Sequence, residues 1–189
     1  MDEERLILVD EADRPQGEGG KLDVHRRGLR HRAFSIFVWN GAGEMLLQRR
    51  AAGKYHSAGL WANSCCGHPR PGEQVRDAAS RRLGEELGMT ASLEPLGQYS
   101  YRADLPNALV ENELVHLFAG LAEGDPQPNP DEVERVRWIT PAALLEDMAA
   151  TPEAYAAWFR LYVADIARII LSPPTSLLDS KASSTRVAR

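Results

Sequence analysis

Glu111 and Glu113 stand two residues apart, His25, His31 and His68 are three of the chain's five histidines, and Cys65 and Cys66 are adjacent. In a strand, a two-residue step puts both carboxylates on one face, where they can meet imidazoles around one ion. Such a mixed nitrogen–oxygen set suits an octahedral manganese, magnesium or iron better than a tetrahedral structural zinc. Adjacent cysteines cannot form an ordinary disulfide between separate segments, so their value is chemical or a matter of packing. A thiol, with an ordinary pKa of about 8.5, and a carboxyl group, at about 4.3, must both be tuned to exchange protons near neutrality. Taken alone, His25 and His31 read as basic surface, since they lie among Arg26, Arg27, Arg30 and Arg32.

A second constellation is the stretch Gly67-His68-Pro69-Arg70-Pro71-Gly72-Glu73, followed seven residues later by Arg81-Arg82-Leu83-Gly84-Glu85-Glu86-Leu87-Gly88-Met89. Arg81–Glu85 and Arg82–Glu86 have i,i+4 spacing, which by itself describes solvated helix pairs contributing about 0.2–0.5 kcal/mol each. Arg49, Arg50 and Lys54 likewise read alone as a solvated basic patch.

These residues need a scaffold. Residues 5–10 read as a strand closed by a polar turn over 11–20, and 33–39 with 44–49 read as a hairpin around Asn40-Gly41-Ala42-Gly43. From Gln74 to Leu87, the apolar residues Val75, Ala78, Ala79, Leu83 and Leu87 recur at three- and four-residue steps, with Gly88 as a C-terminal cap. Strands are expected near 93–101, 113–119 and 133–139. Thr140-Pro141 and Thr151-Pro152 each resemble an N-cap with a first-turn proline, opening two C-terminal helices, the second over 154–170. The result is an α/β sandwich, a mixed sheet between helices, formed by one domain over residues 1–171. Residues 172–189 turn polar and serine-rich and read as a disordered tail.

At 189 residues the chain fits one core. With 43% hydrophobic and 26% charged residues it has too much apolar material for wholesale disorder. Its 22 basic and 27 acidic residues give a net charge of −5, which removes the global electrostatic case for nucleic-acid binding. No stretch reaches the roughly 18 apolar residues of a membrane span, and the acidic start is unlike a secretory signal, so a cytoplasmic protein is expected.

The glycine–glutamate box resembles the Nudix box, a loop–helix–loop whose usual pattern places three carboxylates on one helix face to collect magnesium on a diphosphate. Here Arg82 replaces the first of those carboxylates. With Asn63-Ser64-Cys65-Cys66-Gly67-His68-Pro69, Tyr101-Arg102-Ala103, Val110-Glu111-Asn112-Glu113 and His31-Arg32-Ala33-Phe34-Ser35, the chain resembles the type I isopentenyl-diphosphate isomerases of the Nudix superfamily over roughly residues 6–158. The resemblance implies a Nudix-like α/β/α sandwich and interconversion of isopentenyl and dimethylallyl diphosphate, a step of isoprenoid precursor synthesis. It implies His25, His31, His68, Glu111 and Glu113 as ligands of Mn2+ or another divalent metal, and Glu86 as the holder of Mg2+ against the diphosphate. It further implies Cys66, Glu113 and Tyr101 as the proton-transfer set, and Lys21, Arg50, Lys54, Arg82 and Trp158 as substrate contacts. His56 and His116 match no ligand position and are expected to be structural. A monomer acting on a small-molecule diphosphate follows. A Nudix hydrolase would need the carboxylate cluster that Arg82 interrupts, and a non-catalytic metal-binding domain would leave the cations without a role.

Overall fold

The computed structural model describes residues 4–54, 56–105 and 108–173. Strands β1 (Arg5–Val9) and β2 (Pro15–Gly20) lead into helix α1 (Lys21–Arg27), then β3 (His31–Trp39) and β4 (Met45–Arg50). Short strands β5 (Trp61–Ala62) and β6 (Cys65–Gly67) precede helix α2 (Val75–Leu87). Strands β7 (Leu93–Leu105), β8 (Leu109–Leu121) and β9 (Val133–Ile139) are followed by helices α3 (Pro141–Ala150) and α4 (Ala157–Ile170).

The sheet is mixed and organised around β3. One edge of β3 pairs in parallel with β8, from His31 opposite Glu113 to Trp39 opposite Leu121. Its other edge is divided among β1 at His31, β6 at Phe34–Ile36 and β4 at Trp39, all antiparallel. The period of two in β3 sorts its side chains between two layers. Phe34, Ile36 and Val38 pack with Ala78, Ala79, Leu83 and Leu87 of α2, whereas Ala33, Phe37 and Trp39 pack with Leu144 of α3 and Phe159 and Tyr162 of α4. Burying side chains such as Phe37, Trp39 and Leu83 contributes roughly 1.5–3 kcal/mol each, which fixes the sheet between its helices. This is the α/β/α sandwich expected from the sequence. No helix among the described residues is long and apolar enough to cross a membrane.

Three elements differ from expectation. Residues 15–20 form a strand instead of continuing the turn; they pair with β1 and carry no apolar alternation, so the backbone ladder alone defines them. Helix α1 was not foreseen, because it has only seven residues and the side chains it buries are Val24 and His25, a pattern without apolar periodicity. At the C-terminal end, Thr140 caps α3 by accepting from the Ala143 amide at 3.3 Å. Thr151-Pro152, however, opens a single 3-10 turn, and α4 starts only at Ala157. The intervening backbone is committed elsewhere: Tyr155 bridges Trp61, and the Ala156 amide donates to the Trp61 carbonyl at 2.9 Å. From residue 174 onward, the expected tail lies outside the described residues.

Candidate active site and metal centre

Three neighbouring strands place Tyr101, Glu113 and His31 in one row, through the registers Tyr101–Glu113 and Glu113–His31. Cross-strand partners share a face, so these side chains converge, and Glu111 lies two positions back on the same face. Further along that face β8 becomes apolar, with Val115, Leu117, Ala119 and Leu121 in the core beneath α3 and α4. The polar cluster therefore occupies one end of a single layer, where Tyr101, Glu111 and Glu113 line a cavity of about 510 Å³, within the usual size range for small-molecule sites.

Two glycines bring in the remaining imidazoles. Gly28, at φ 60°, ends α1 in the left-handed conformation that glycine adopts without steric cost. The chain reverses there, and the His25 and His31 rings come to 4.8 Å between centroids. Gly67 lies against Phe34, where a Cβ would meet the ring at 2.9 Å. That close approach lets β6 deliver Cys66 and His68 to the cavity, with His68 at 5.0 Å from His31 and 5.8 Å from His25.

The donor atoms fit a cation. His25 Nδ1 lies 2.7 Å from the Lys21 carbonyl and His31 Nδ1 2.9 Å from the Leu29 carbonyl, contacts in which the ring nitrogen must donate. Both Nε2 atoms are then left with lone pairs directed inward. The His31 Nε2 is buried without a hydrogen-bond partner and lies 3.5 Å from Glu113 Oε1, which is 3.1 Å from His68 Nε2. One ligand atom from each of His25, His31, His68 and Glu113 falls within 4.8 Å of the others. An orphaned imidazole nitrogen facing carboxylates is what a divalent metal ion would satisfy. Glu111 adjoins this group, its Oε2 at 3.1 Å from His25 Nε2.

The two buried carboxylates titrate apart. Burial raises the Glu111 carboxyl pKa, and the neighbouring Glu113 raises it further. Burial acts on Glu113 in the same sense, but the His31 and His68 imidazoles outweigh it and hold the carboxyl well below the usual range. Burial lowers the His68 pKa to about 4, so its ring is neutral, as a ligand must be. Tyr101 donates its hydroxyl to Glu113 Oε2 at 2.8 Å.

Cys65 and Cys66 point to opposite layers. Cys65 is fully buried with the α2 core, while Cys66 packs on the α4 side and lines the cavity. The Cys66 thiol donates to Asn63 Oδ1 at 3.2 Å, and the same oxygen accepts from Trp158 Nε1 at 3.3 Å. Ser35 Oγ, 3.3 Å from the sulfur, also bonds the Tyr162 hydroxyl at 2.9 Å. Burial pushes the Cys66 thiol up to about 12, despite the hydrogen bonds to Ser35 and Asn63.

Lys21, Arg50, Lys54 and Arg82 line the same cavity, each with an anchoring contact. Lys21 pairs with Glu4 at 2.8 Å, Lys54 with Glu132, and Arg82 with Glu85 at 2.8 Å, Glu132 at 3.3 Å and Glu86. Arg50 lies over the Trp158 ring at 5.2 Å and donates to the His56 carbonyl at 3.2 Å. Glu86 is buried and accepts from Gln48 Nε2 at 3.0 Å. Apart from His25 and His31, which are buried behind Glu111 and Glu113, the proposed site residues line one cavity, where a polyanion can meet cations as well as a half-buried thiol and a buried carboxylate.

Several further neighbours of the site carry no clear signal in the sequence. Ser35 and Asn63 stood in recognised motifs without an assigned role, and Tyr162 lies one helical turn beyond Trp158. Nothing in spacing marked Glu132. His56, expected to be structural, lines the cavity with Nε2 at 3.2 Å from Glu111 Oε1. His116 lies away from this cluster and pairs with Asp13 at 2.8 Å.

Residues 29–159 match the NUDIX domain family. The chain is 52% identical to an isopentenyl-diphosphate Delta-isomerase of Burkholderia multivorans, over 85% of this chain and 92% of the relative. It is 46% identical to the enzyme of that name from Serratia proteamaculans, over 87% and 92%. Among solved structures, a Deinococcus radiodurans protein superposes with a TM-score of 0.64 at 24% identity, over 78% of this chain and 90% of that one. A MutT NUDIX hydrolase from Burkholderia pseudomallei gives 0.57 at 20% identity, over 72% and 98%. At those identities the structural likeness speaks for the fold alone.

Proposed function

Because the chain belongs to the isopentenyl-diphosphate Delta-isomerase family of NUDIX-domain proteins, we propose that it interconverts isopentenyl diphosphate and dimethylallyl diphosphate by proton addition and removal at carbon. The observation that carries this reading is a half-buried thiol and a buried carboxylate, Cys66 and Glu113, lining one cavity. Moving a double bond requires a proton delivered to one carbon and another taken from a neighbour; attack of water on phosphorus has no use for such a pair. At neutral pH the thiol carries its proton and Glu113 is ionised, so one group has a proton to give and the other has room for one.

Lys21, Arg50, Lys54 and Arg82 bind the diphosphate by charge-assisted hydrogen bonds, Lys21, Lys54 and Arg82 exchanging their present carboxylate partners for phosphate oxygens and Arg50 turning to them from the His56 carbonyl. Glu86, already oriented by Gln48, holds Mg2+ against the same oxygens. Trp158, fixed through Asn63, offers an aromatic face to positive charge developing on the hydrocarbon and keeps water from it. Tyr101 orients Glu113 and relays its proton. His25, His31, His68, Glu111 and Glu113 hold Mn2+ or a similar divalent ion, which when bound supplies charge that favours the ionised form of Glu113. All these groups come from one chain, so a monomer suffices, and a cytoplasmic enzyme is part of the same reading.

Incubating the purified protein with isopentenyl diphosphate, Mg2+ and Mn2+, while following dimethylallyl diphosphate and inorganic phosphate separately, tests the proposal. Isomer without phosphate is expected. Phosphate without isomer would make the protein a hydrolase.

A further inference from the structure

His56 has no role in the chemistry above, yet its side chain is only 7% exposed and reaches the metal ligands from a loop. The Glu111 carboxylate lies between two imidazoles, with Oε2 at 3.1 Å from His25 Nε2 and Oε1 at 3.2 Å from His56 Nε2. The other nitrogen, His56 Nδ1, is 3.3 Å from the Ser57 hydroxyl. Ser57 adopts φ 51°, a left-handed conformation uncommon for serine. Its carbonyl accepts from the Leu60 amide at 3.3 Å, and Arg50 Nη2 binds the His56 carbonyl at 3.2 Å. The loop is thus held at the carbonyls of both His56 and Ser57, and a left-handed serine retained next to a cavity points to a use for this loop conformation. The ring also meets Trp158 edge-on at 5.8 Å, so packing fixes it as well.

We propose that His56 is a positioning residue for the metal centre, its Nε2–H holding Glu111 Oε1 so that Oε2 faces the ion. This rests on the reading of the histidine–glutamate cluster as a metal site. With the Ser57 hydroxyl donating to Nδ1, the neutral ring carries its hydrogen on Nε2 and directs it at the carboxylate. Glu111, buried beside Glu113, would otherwise rotate away from that like charge; a fixed donor on one oxygen leaves the other correctly aimed. Partners of this kind, which orient a ligand without touching the metal, typically carry about 10- to 100-fold in metal affinity. His56 also joins the two ends of the cavity, since its carbonyl is bound by Arg50 and its ring by Glu111.

The test is Mn2+ titrated into the full-length protein, with free ion read by electron paramagnetic resonance, for wild type, His56→Ala, His56→Gln and, as a ligand control, His25→Ala. Glutamine returns an amide N–H at nearly the position of the imidazole Nε2. The proposal expects His56→Ala to bind Mn2+ about 10- to 100-fold more weakly, His56→Gln to recover most of that loss, and the nitrogen couplings of bound Mn2+ to be the same in both as in wild type. Wild-type affinity in His56→Ala overturns it. So does the loss of one nitrogen coupling, which would make His56 a ligand itself. If His56→Ala does not fold, His56→Gln decides: a loss as large as that of His25→Ala overturns the proposal, and near-wild-type affinity with unchanged couplings supports it. A wild-type protein without Mn2+ affinity would instead refute the metal-centre reading, and this inference with it.

Discussion

Cys65 and Cys66 are neighbours in sequence and belong to opposite layers of the sandwich, Cys65 against α2 and Cys66 in the cavity with Ser35 and Asn63. The separation follows from their extended backbone, where successive side chains alternate. Cys66→Ala should lower isomerisation by about a hundred- to ten-thousand-fold, the range for loss of a proton-transfer group, with fold and metal content kept. Cys65→Ala should remain active and melt at a somewhat lower temperature, because it removes a buried atom from a closed core. Turnover at matched metal loading, with thermal melts alongside, distinguishes them; an inactive Cys65→Ala beside an active Cys66→Ala would reverse the assignment.

Removing one imidazole from the triangle should empty or weaken the metal centre. His25→Ala, His31→Ala and His68→Ala are each expected to retain less Mn2+ than wild type by elemental analysis and to lose activity in parallel. Full metal content in all three variants would dissolve the proposed site.

Glu86 belongs to the other end of the cavity, with Gln48 and Arg82. Glu86→Gln should weaken the Mg2+-dependent binding of diphosphate in calorimetry while the histidine centre keeps its Mn2+. Simultaneous loss at both ends would show that the two ions are not held independently.

How much of this was legible depended on whether side-chain pattern or backbone geometry defined each element. The alternation of β3 and the helical step of α2 each bury apolar residues at a regular period, and both are readable. Helix α1 buries a histidine because it faces the histidine–glutamate cluster, so its buried face lacks the apolar signal that marks helices. In β2 the residues Gly17, Gly19 and Gly20 leave almost no side-chain pattern. The site residues were legible where they fell in motifs, as Cys66 and His68 did. His56 and Glu132 sit on connecting segments, and only the closing of the loops over the sheet brings them to Glu111 and Arg82.

Asp147 provides a test of stability away from the cavity. Hydrogen bonds from Tyr155, at 2.7 Å, and from Arg137 hold its carboxyl below the ordinary value of 3.8. A folded-state pKa below the unfolded one means that this stabilisation is fully present above about pH 4 and is lost as pH falls through the folded value. Asp147→Asn should therefore lower the melting temperature at pH 7 and narrow its distance from wild type near pH 3. An unchanged difference at the two pH values would remove the carboxylate's ionisation from the account.

Proton movement on carbon in this cavity leaves a label when isopentenyl diphosphate reacts in D2O. In the proposed reaction the two proton-transfer groups, Cys66 and Glu113, are distinct, and a thiol exchanges its hydrogen with solvent between turnovers. Proton and deuterium magnetic resonance of the product should show dimethylallyl diphosphate with deuterium in the newly formed methyl group and no inorganic phosphate. Release of phosphate with no deuterium on any carbon would contradict the account.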